Sequence, residues 1–249
     1  TCALPIYKAA FTESSPVSTF NSGNQILLNA SGSLQIDNRI LTYMDNQWKA
    51  ENEFSWSDIT GKTNITALYP VYPDLDYIRE NLYKNNSLED ILYVKDEFPT
   101  GNSIHLQFKH LFSLLTLYLD RDLQTNLQKI EITCPAVSSI IPKSAEIVPA
   151  DNETHTTTIA QVSPSGNYSF IVPPVKNMVI AINMVTNGKK YTTQLETKSF
   201  TGNKEYTYHL KTSEKTPGII TAEDWIAFSQ LINSNTFTQY KGKTLDDFG

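Results

Sequence analysis

Residues 101–120, GNSIHLQFKHLFSLLTLYLD, decide the fold. Ile104, Leu106 and Phe108 fall on one parity and His105, Gln107 and Lys109 on the other, the alternation of a strand with one wet face. From 110 to 119 apolar residues occupy both parities, as in a central strand covered on both sides. The spacing of Phe108, Leu111, Phe112, Leu115 and Leu119 would also suit a helix. The alternating lead-in, the Pro-Thr-Gly-Asn break before it and the Asp-Arg-Asp break after it decide for a strand.

Outward from that stretch the chain reads as mostly β. Upstream, strands are expected at 7–12, 26–30, 39–44, 47–50, 64–72 and 91–95. Asp45-Asn46 forms a tight turn between the third and fourth, since both residues tolerate positive φ. Trp48 and Trp56 are expected anchors of the first core, and the acidic, Asn-rich segment 74–90 is partly helical. Downstream, strands are expected at 129–134, 145–148, 156–162, 168–172, 178–185, 190–196 and 206–211, with Asn187-Gly188 as the strongest hairpin signal. About seven short strands on each side of the polar break at 120–126 imply two small β-sandwiches in tandem. The expected division is 1–121, 122–216 and a tail, 217–249. In the tail Thr221 caps one amphipathic helix that sets Trp225, Phe228, Leu231 and Ile232 on a single face.

Composition excludes several classes of function. Charged residues make up 18 % of the 249, below the roughly 25 % usual in soluble domains. The net charge of -6 comes from scattered acids, and no basic patch exists to replace counterions around a nucleic acid. No run of 18–20 apolar residues could form a membrane helix. The chain opens at Thr-Cys rather than Met, the look of a processed start. Of the two cysteines, Cys134 shares a strand parity with Ile130 and Ile132 and reads as a buried thiol; a bridge to Cys2 is the other possibility.

No catalytic constellation is present. His105, His110, His155 and His209 lack metal-site spacing, and His110, inside the apolar run, reads as a hydrogen-bonded core histidine. There is no phosphate loop, nucleophile elbow or EF-hand pattern, so no cofactor, metal or enzymatic activity is expected. The tyrosines between 69 and 93 could instead line a sugar-binding face, with Tyr72 and Tyr77 as the glycan-facing pair, although a tyrosine-rich core and rim accounts for them more simply, since tyrosine favours strands anyway.

Blocks in a fixed order resemble the fimbrillin-like family of pilus subunits and surface lipoproteins of anaerobic Gram-negative gut and oral bacteria. They are QILLNA at 25–30, ILTYMDNQW at 40–48, Trp56, ITALYPVY at 65–72, ILYVK at 91–95, LQFKHLFSLLTL at 106–117, GNYSFIVPP at 166–174 and YTYHL at 206–210. The resemblance implies two tandem transthyretin-like β-sandwiches with a short C-terminal helical segment, export, and lipidation of a cysteine at the mature amino terminus, where Cys2 stands. It further implies a non-enzymatic cell-surface subunit tethered to the outer membrane, which joins other fimbrial subunits by strand exchange and meets host or microbial surface ligands.

In polymerising members an arginine-directed protease cuts after the first strand. Here 13–25 holds neither Arg nor Lys and Arg39 is the first arginine, which favours an anchor, tip or accessory subunit over a stalk subunit. The tail from 219 is similar to the lead-in to β-helical repeats in some surface adhesins, as in a fragment of a longer chain. The alternative reading is an outer-surface lipoprotein that captures glycans through Tyr72 and Tyr77.

Overall fold

The computed structural model describes residues 20–51, 61–99, 104–125, 127–160, 166–174, 176–186, 188–211, and Ile226, Ser229 and Gln230 of the tail. The chain divides after Leu210 into two compact units, and every strand among the described residues belongs to the first. The expected strand at 7–12, Trp56, and the helix-face residues Trp225, Phe228, Leu231 and Ile232 lie outside the described residues. Ile226, Ser229 and Gln230 are helical.

The first half builds one six-stranded sheet. Its strands are β1 (Gln25–Gly32), β2 (Ile36–Met44), β3 (Gln47–Ala50), β4 (Thr63–Tyr69), β7 (Leu92–Phe98) and β8 (Lys109–His110), in the order β3-β2-β1-β4-β7-β8. All of its pairings are antiparallel. The β2–β3 hairpin closes as its residues dictate: Asp45 and Asn46 have φ of 52° and 61°, the double left-handed pair of a type I′ turn. A second such turn, not among those expected from the sequence, follows in the acidic segment. Asn85 and Asn86, at φ 51° and 60°, join the two-residue strands β5 (Tyr83–Lys84) and β6 (Ser87–Leu88), just after the single-turn helix α1 (Arg79–Leu82).

One face of this sheet carries Ile26, Leu28, Leu41, Tyr43, Trp48, Ile65, Ala67, Leu92 and Val94, and is covered by Ile104, Leu106 and Phe108. These three are buried while His105, Gln107 and Lys109 are exposed, so the alternation is real. The single strand expected over 101–120 is nevertheless broken at Leu111 and Phe112. Lys109 and His110 pair with β7; from Ser113 the chain pairs with strands of the second half. The change of sheet is held by Leu111 N–H donating to the Ile91 carbonyl at 2.7 Å and by the Phe112 ring, buried between the halves.

The second half is a two-layer sandwich. Its strands are β9 (Ser113–Leu119), β10 (Leu127–Ile141), β11 (Glu146–Ile159), β12 (Asn167–Val172), β13 (Lys176–Thr186), β14 (Lys189–Ser199) and β15 (Glu205–Leu210), with the short helix α2 (Arg121–Gln124) between β9 and β10. One sheet runs β11-β10-β13-β14 and the other β12-β9-β15. Ile130, Ile132, Cys134, Ile180, Ile182 and Met184 from the first face Leu115, Leu117, Leu119, Tyr168, Phe170 and Val172 from the second. β9 lies between two neighbours; Leu115, Leu117 and Leu119 turn into the sandwich core, while on the other parity Leu114 and Thr116 are buried and Tyr118 is half-buried.

The sheet partnerships do not follow the expected division at residue 121, because β9 belongs to the later sandwich. A polar break marks a connection and not a change of partner. Among the described residues the first half is one six-stranded sheet with the small β5–β6 ribbon, where a second two-sheet sandwich was expected. The two strands expected at 145–148 and 156–162 are one continuous β11, because shifts of register in its pairing with β10 absorb Pro135 and Pro149.

The β10–β11 hairpin joins the halves. Its base packs in the sandwich, while Val137, Ile140 and Ala145 near its tip pack on Leu27 and Leu68, which lie on the other face of the six-stranded sheet.

Candidate functional site

The residues singled out from the sequence fall in three places. Cys2 lies outside the described residues. Tyr72 and Tyr77 are interior side chains, 4 % and 1 % exposed, and do not present a glycan-binding face. Their rings meet edge to face at 4.9 Å in the core between hairpin and sheet. Tyr77 Oη donates to the Pro70 carbonyl and Tyr72 Oη to Glu89, both at 2.6 Å, so each phenol is satisfied inside. Burial pushes both hydroxyls well above their ordinary pKa, with Glu89 adding to the effect. Tyrosine suits a core as well as a rim when its hydroxyl finds an acceptor, and sequence alone does not separate the two.

His110 is buried as read, and its partner is Asp90, both of whose carboxylate oxygens lie 2.9 Å from Nδ1. Nothing in the spacing of 20 residues announces that pair; the β7–β8 pairing brings it together. Around it Asn203 accepts the His110 N–H through Oδ1, and its own N–H donates to the Phe112 carbonyl. Gly202 fits because a Cβ there would stand 2.4 Å from the Leu111 carbonyl oxygen. The His155 ring lies tilted against Tyr83 at 4.0 Å, and His209 stacks on Tyr118 at 5.0 Å. Among the described residues no cluster of His, Cys, Asp or Glu could hold a metal ion. Cys134 is a free thiol in the sandwich core.

Among the described residues the two edges of the three-stranded sheet differ in how well they are covered. On β12 the inward side chains Tyr168, Phe170 and Val172 are at most 2 % exposed. On β15 the corresponding Tyr206, Tyr208 and Leu210 are only partly buried, although they pack on the same core. Among the described residues the sandwich core is therefore better covered at β12 than at β15.

The Lys204 and Leu210 carbonyls accept from Leu114 and Asp120 of the β9 side. With a period of two, the backbone groups of Tyr206 and Tyr208 also face β9, and those of Glu205, Thr207 and His209 face outward. Among the described residues no strand pairs with that side. β15 has no lysine and no proline, the usual guards of an exposed edge. β14, also an edge, begins Lys189-Lys190 and is better protected.

Comparison with known proteins gives one consistent picture. Residues 10–225 match the family model described as fimbrillin-like. A candidate cell adhesion protein from Bacteroides uniformis has a similar structure, with a TM-score of 0.58 at 12 % identity over 78 % of this chain and 88 % of that one. A second, from Bacteroides ovatus, gives 0.58 at 13 % identity over 86 % and 92 %. At such identities the likeness is one of fold. A search of curated proteins returns no significant match.

Proposed function

Since this chain belongs to the fimbrillin-like family, whose members are structural and adhesive proteins and not enzymes, we propose that it is an anchor, tip or accessory subunit of a surface fimbria that joins its neighbour by strand complementation. The less covered β15 edge carries the reading. An extended strand laid beside β15 would take up the outward backbone groups of Glu205, Thr207 and His209 and complete the cover over Tyr206, Tyr208 and Leu210. Main-chain pairing supplies the affinity, and the half-open apolar row selects what side chains the added strand carries. A head-to-tail contact of this kind does not close on itself, so it yields a fibre.

Cys2 is the proposed lipid-bearing residue and the outer membrane the proposed anchorage. The tandem transthyretin-like arrangement belongs to the same proposal, with the six-stranded sheet as the remnant of the first sandwich. Glycan capture through Tyr72 and Tyr77 is not retained, because both rings are interior.

Proline at Thr207 removes an outward-facing donor and leaves the β9 ladder intact. In cells that make the protein, Thr207→Pro is expected to melt close to the wild type yet to be missing from high-mass surface assemblies. Assemblies of wild-type amount and length with the variant incorporated would overturn the reading. The intact mass of the sheared protein tests the anchor separately: a chain starting at Cys2 with a diacylglycerol increment is expected, and an unmodified or later start removes it.

A further inference from the structure

The β10–β11 hairpin covers only part of the sheet face it rests on. Cross-strand register sets Leu27, Leu68 and Tyr93 in one row, Asn29, Thr66 and Lys95 in the next, and Ser31, Asn64 and Glu97 in a third. Leu27 and Leu68 lie in the core under the hairpin. Over the polar rows the turn is held off the sheet by two tethers: Thr66 Oγ1 donates to the Lys143 carbonyl at 3.1 Å, and Lys143 Nζ lies 2.6 Å from Asp37. Between turn and sheet is a cleft of about 450 Å³, bordered by Asn29, Asn64, Lys95, Glu97, Asp37 and Lys143.

Asn29 is the unusual member. It is 5 % exposed, and its Oδ1 accepts the backbone N–H of Asn38 at 2.9 Å. Only the oxygen can accept, so the amide orientation is fixed and Nδ2 is turned away from Asn38. That nitrogen is buried with no hydrogen-bond partner. A bulge between β1 and β2 explains the bond to Asn38, which has a positive φ of 47°, but not the orphaned donor.

We propose that the cleft binds a neutral, hydroxyl-rich saccharide, one of whose oxygens accepts from Asn29 Nδ2 as the floor adjusts around it. The border mixes carboxylates, ammonium groups and side-chain amides. An anion would meet Asp37 and Glu97, and a metal ion has no cluster of ligands among the described residues. A sugar hydroxyl donates and accepts at once and so suits all three kinds of neighbour. The volume lies in the range of small-molecule sites, about 300–1,000 Å³. No aromatic ring borders the cleft, so the affinity is modest, on the order of millimolar. The proposal is independent of strand exchange, since β15 takes no part in it.

The test is heteronuclear NMR of the intact protein titrated with the methyl glycosides of glucose, galactose, mannose and N-acetylglucosamine, and separately with inorganic phosphate. At least one glycoside is expected to shift the Asn29 side-chain NH₂ resonances saturably. Asn64 and Lys95 are exposed, so Asn64→Ala with Lys95→Met tests the site without emptying the core. That double variant is expected to keep its melting temperature and bind at least about fivefold more weakly. No saturable shift with any glycoside, an undiminished response in the folded double variant, or a response to phosphate alone would overturn the proposal.

Discussion

His110 and Asp90 meet where the chain leaves the six-stranded sheet: Nδ1 of the imidazole lies 2.9 Å from each carboxylate oxygen, with the side chains 1 % and 7 % exposed. A pair this deep is held in place by the surrounding pairing of β7 with β8 and by Asn203 on the His110 backbone. Truncating one member takes a buried hydrogen-bond partner from the other. His110→Ala or Asp90→Ala should therefore cost about 3–5 kcal/mol in urea unfolding, more than the joint replacement Asp90→Leu with His110→Phe. Single variants within about 0.5 kcal/mol of wild type would show that the pair does not hold the crossover together.

The two interior tyrosines give a prediction that separates core from binding face. Tyr72→Ala and Tyr77→Ala each remove a buried ring and should lower stability by about 3–5 kcal/mol. Tyr77→Phe keeps the ring, leaves the Pro70 carbonyl without its donor and should cost only about 1 kcal/mol. Thermal melts decide it. Alanine variants that melt like the wild type would return these residues to the surface.

How much could be read beforehand follows from the range of the forces involved. The alternation of Ile104, Leu106 and Phe108 and the twin positive-φ residues Asp45 and Asn46 are local, and both were legible. The inward parity of β9, Leu115, Leu117 and Leu119, was legible too, although nothing in those residues tells which strands flank it. The partner of each strand was not legible. Residues 104–119 read as one strand because nothing local reveals that pairing passes from β7 to β12 and β15 at Ser113. Asp90 was invisible as the partner of His110 for the same reason. Asn29 falls inside the strand expected at 26–30, and only the bulge and the bond to Asn38 give its amide a role beyond the ladder.

The Asp37–Lys143 tether should respond to acid. Lys143 donates to Asp37 and attracts its charge, which holds the carboxyl below its ordinary 3.8. The carboxylate binds fewer protons folded than unfolded, so the tether contributes above that value and is lost as pH falls through the depressed one. An NMR titration should place the Asp37 midpoint below 3.8 in the wild type and return it towards 3.8 in Lys143→Met. Identical midpoints in the two proteins would mean that the hairpin turn is not held by this pair.

Cys134 should behave in the opposite sense, at alkaline pH. Its thiol sits in the sandwich core, where loss of solvation disfavours the thiolate and pushes the pKa from 9.0 up to about 12. The folded protein thus retains a proton that the unfolded chain releases, and stability contributed by the neutral thiol falls away as pH rises from about 9 towards 12. Thiolate is the reactive form, so a disulfide reagent at pH 8 should label Cys134 slowly in the native state and at once in denaturant. The rate should track unfolding, rising in His110→Ala by roughly the factor by which that variant increases the open population. Rapid labelling of the native wild type would mean that the core between the two sheets opens without the rest of the sandwich.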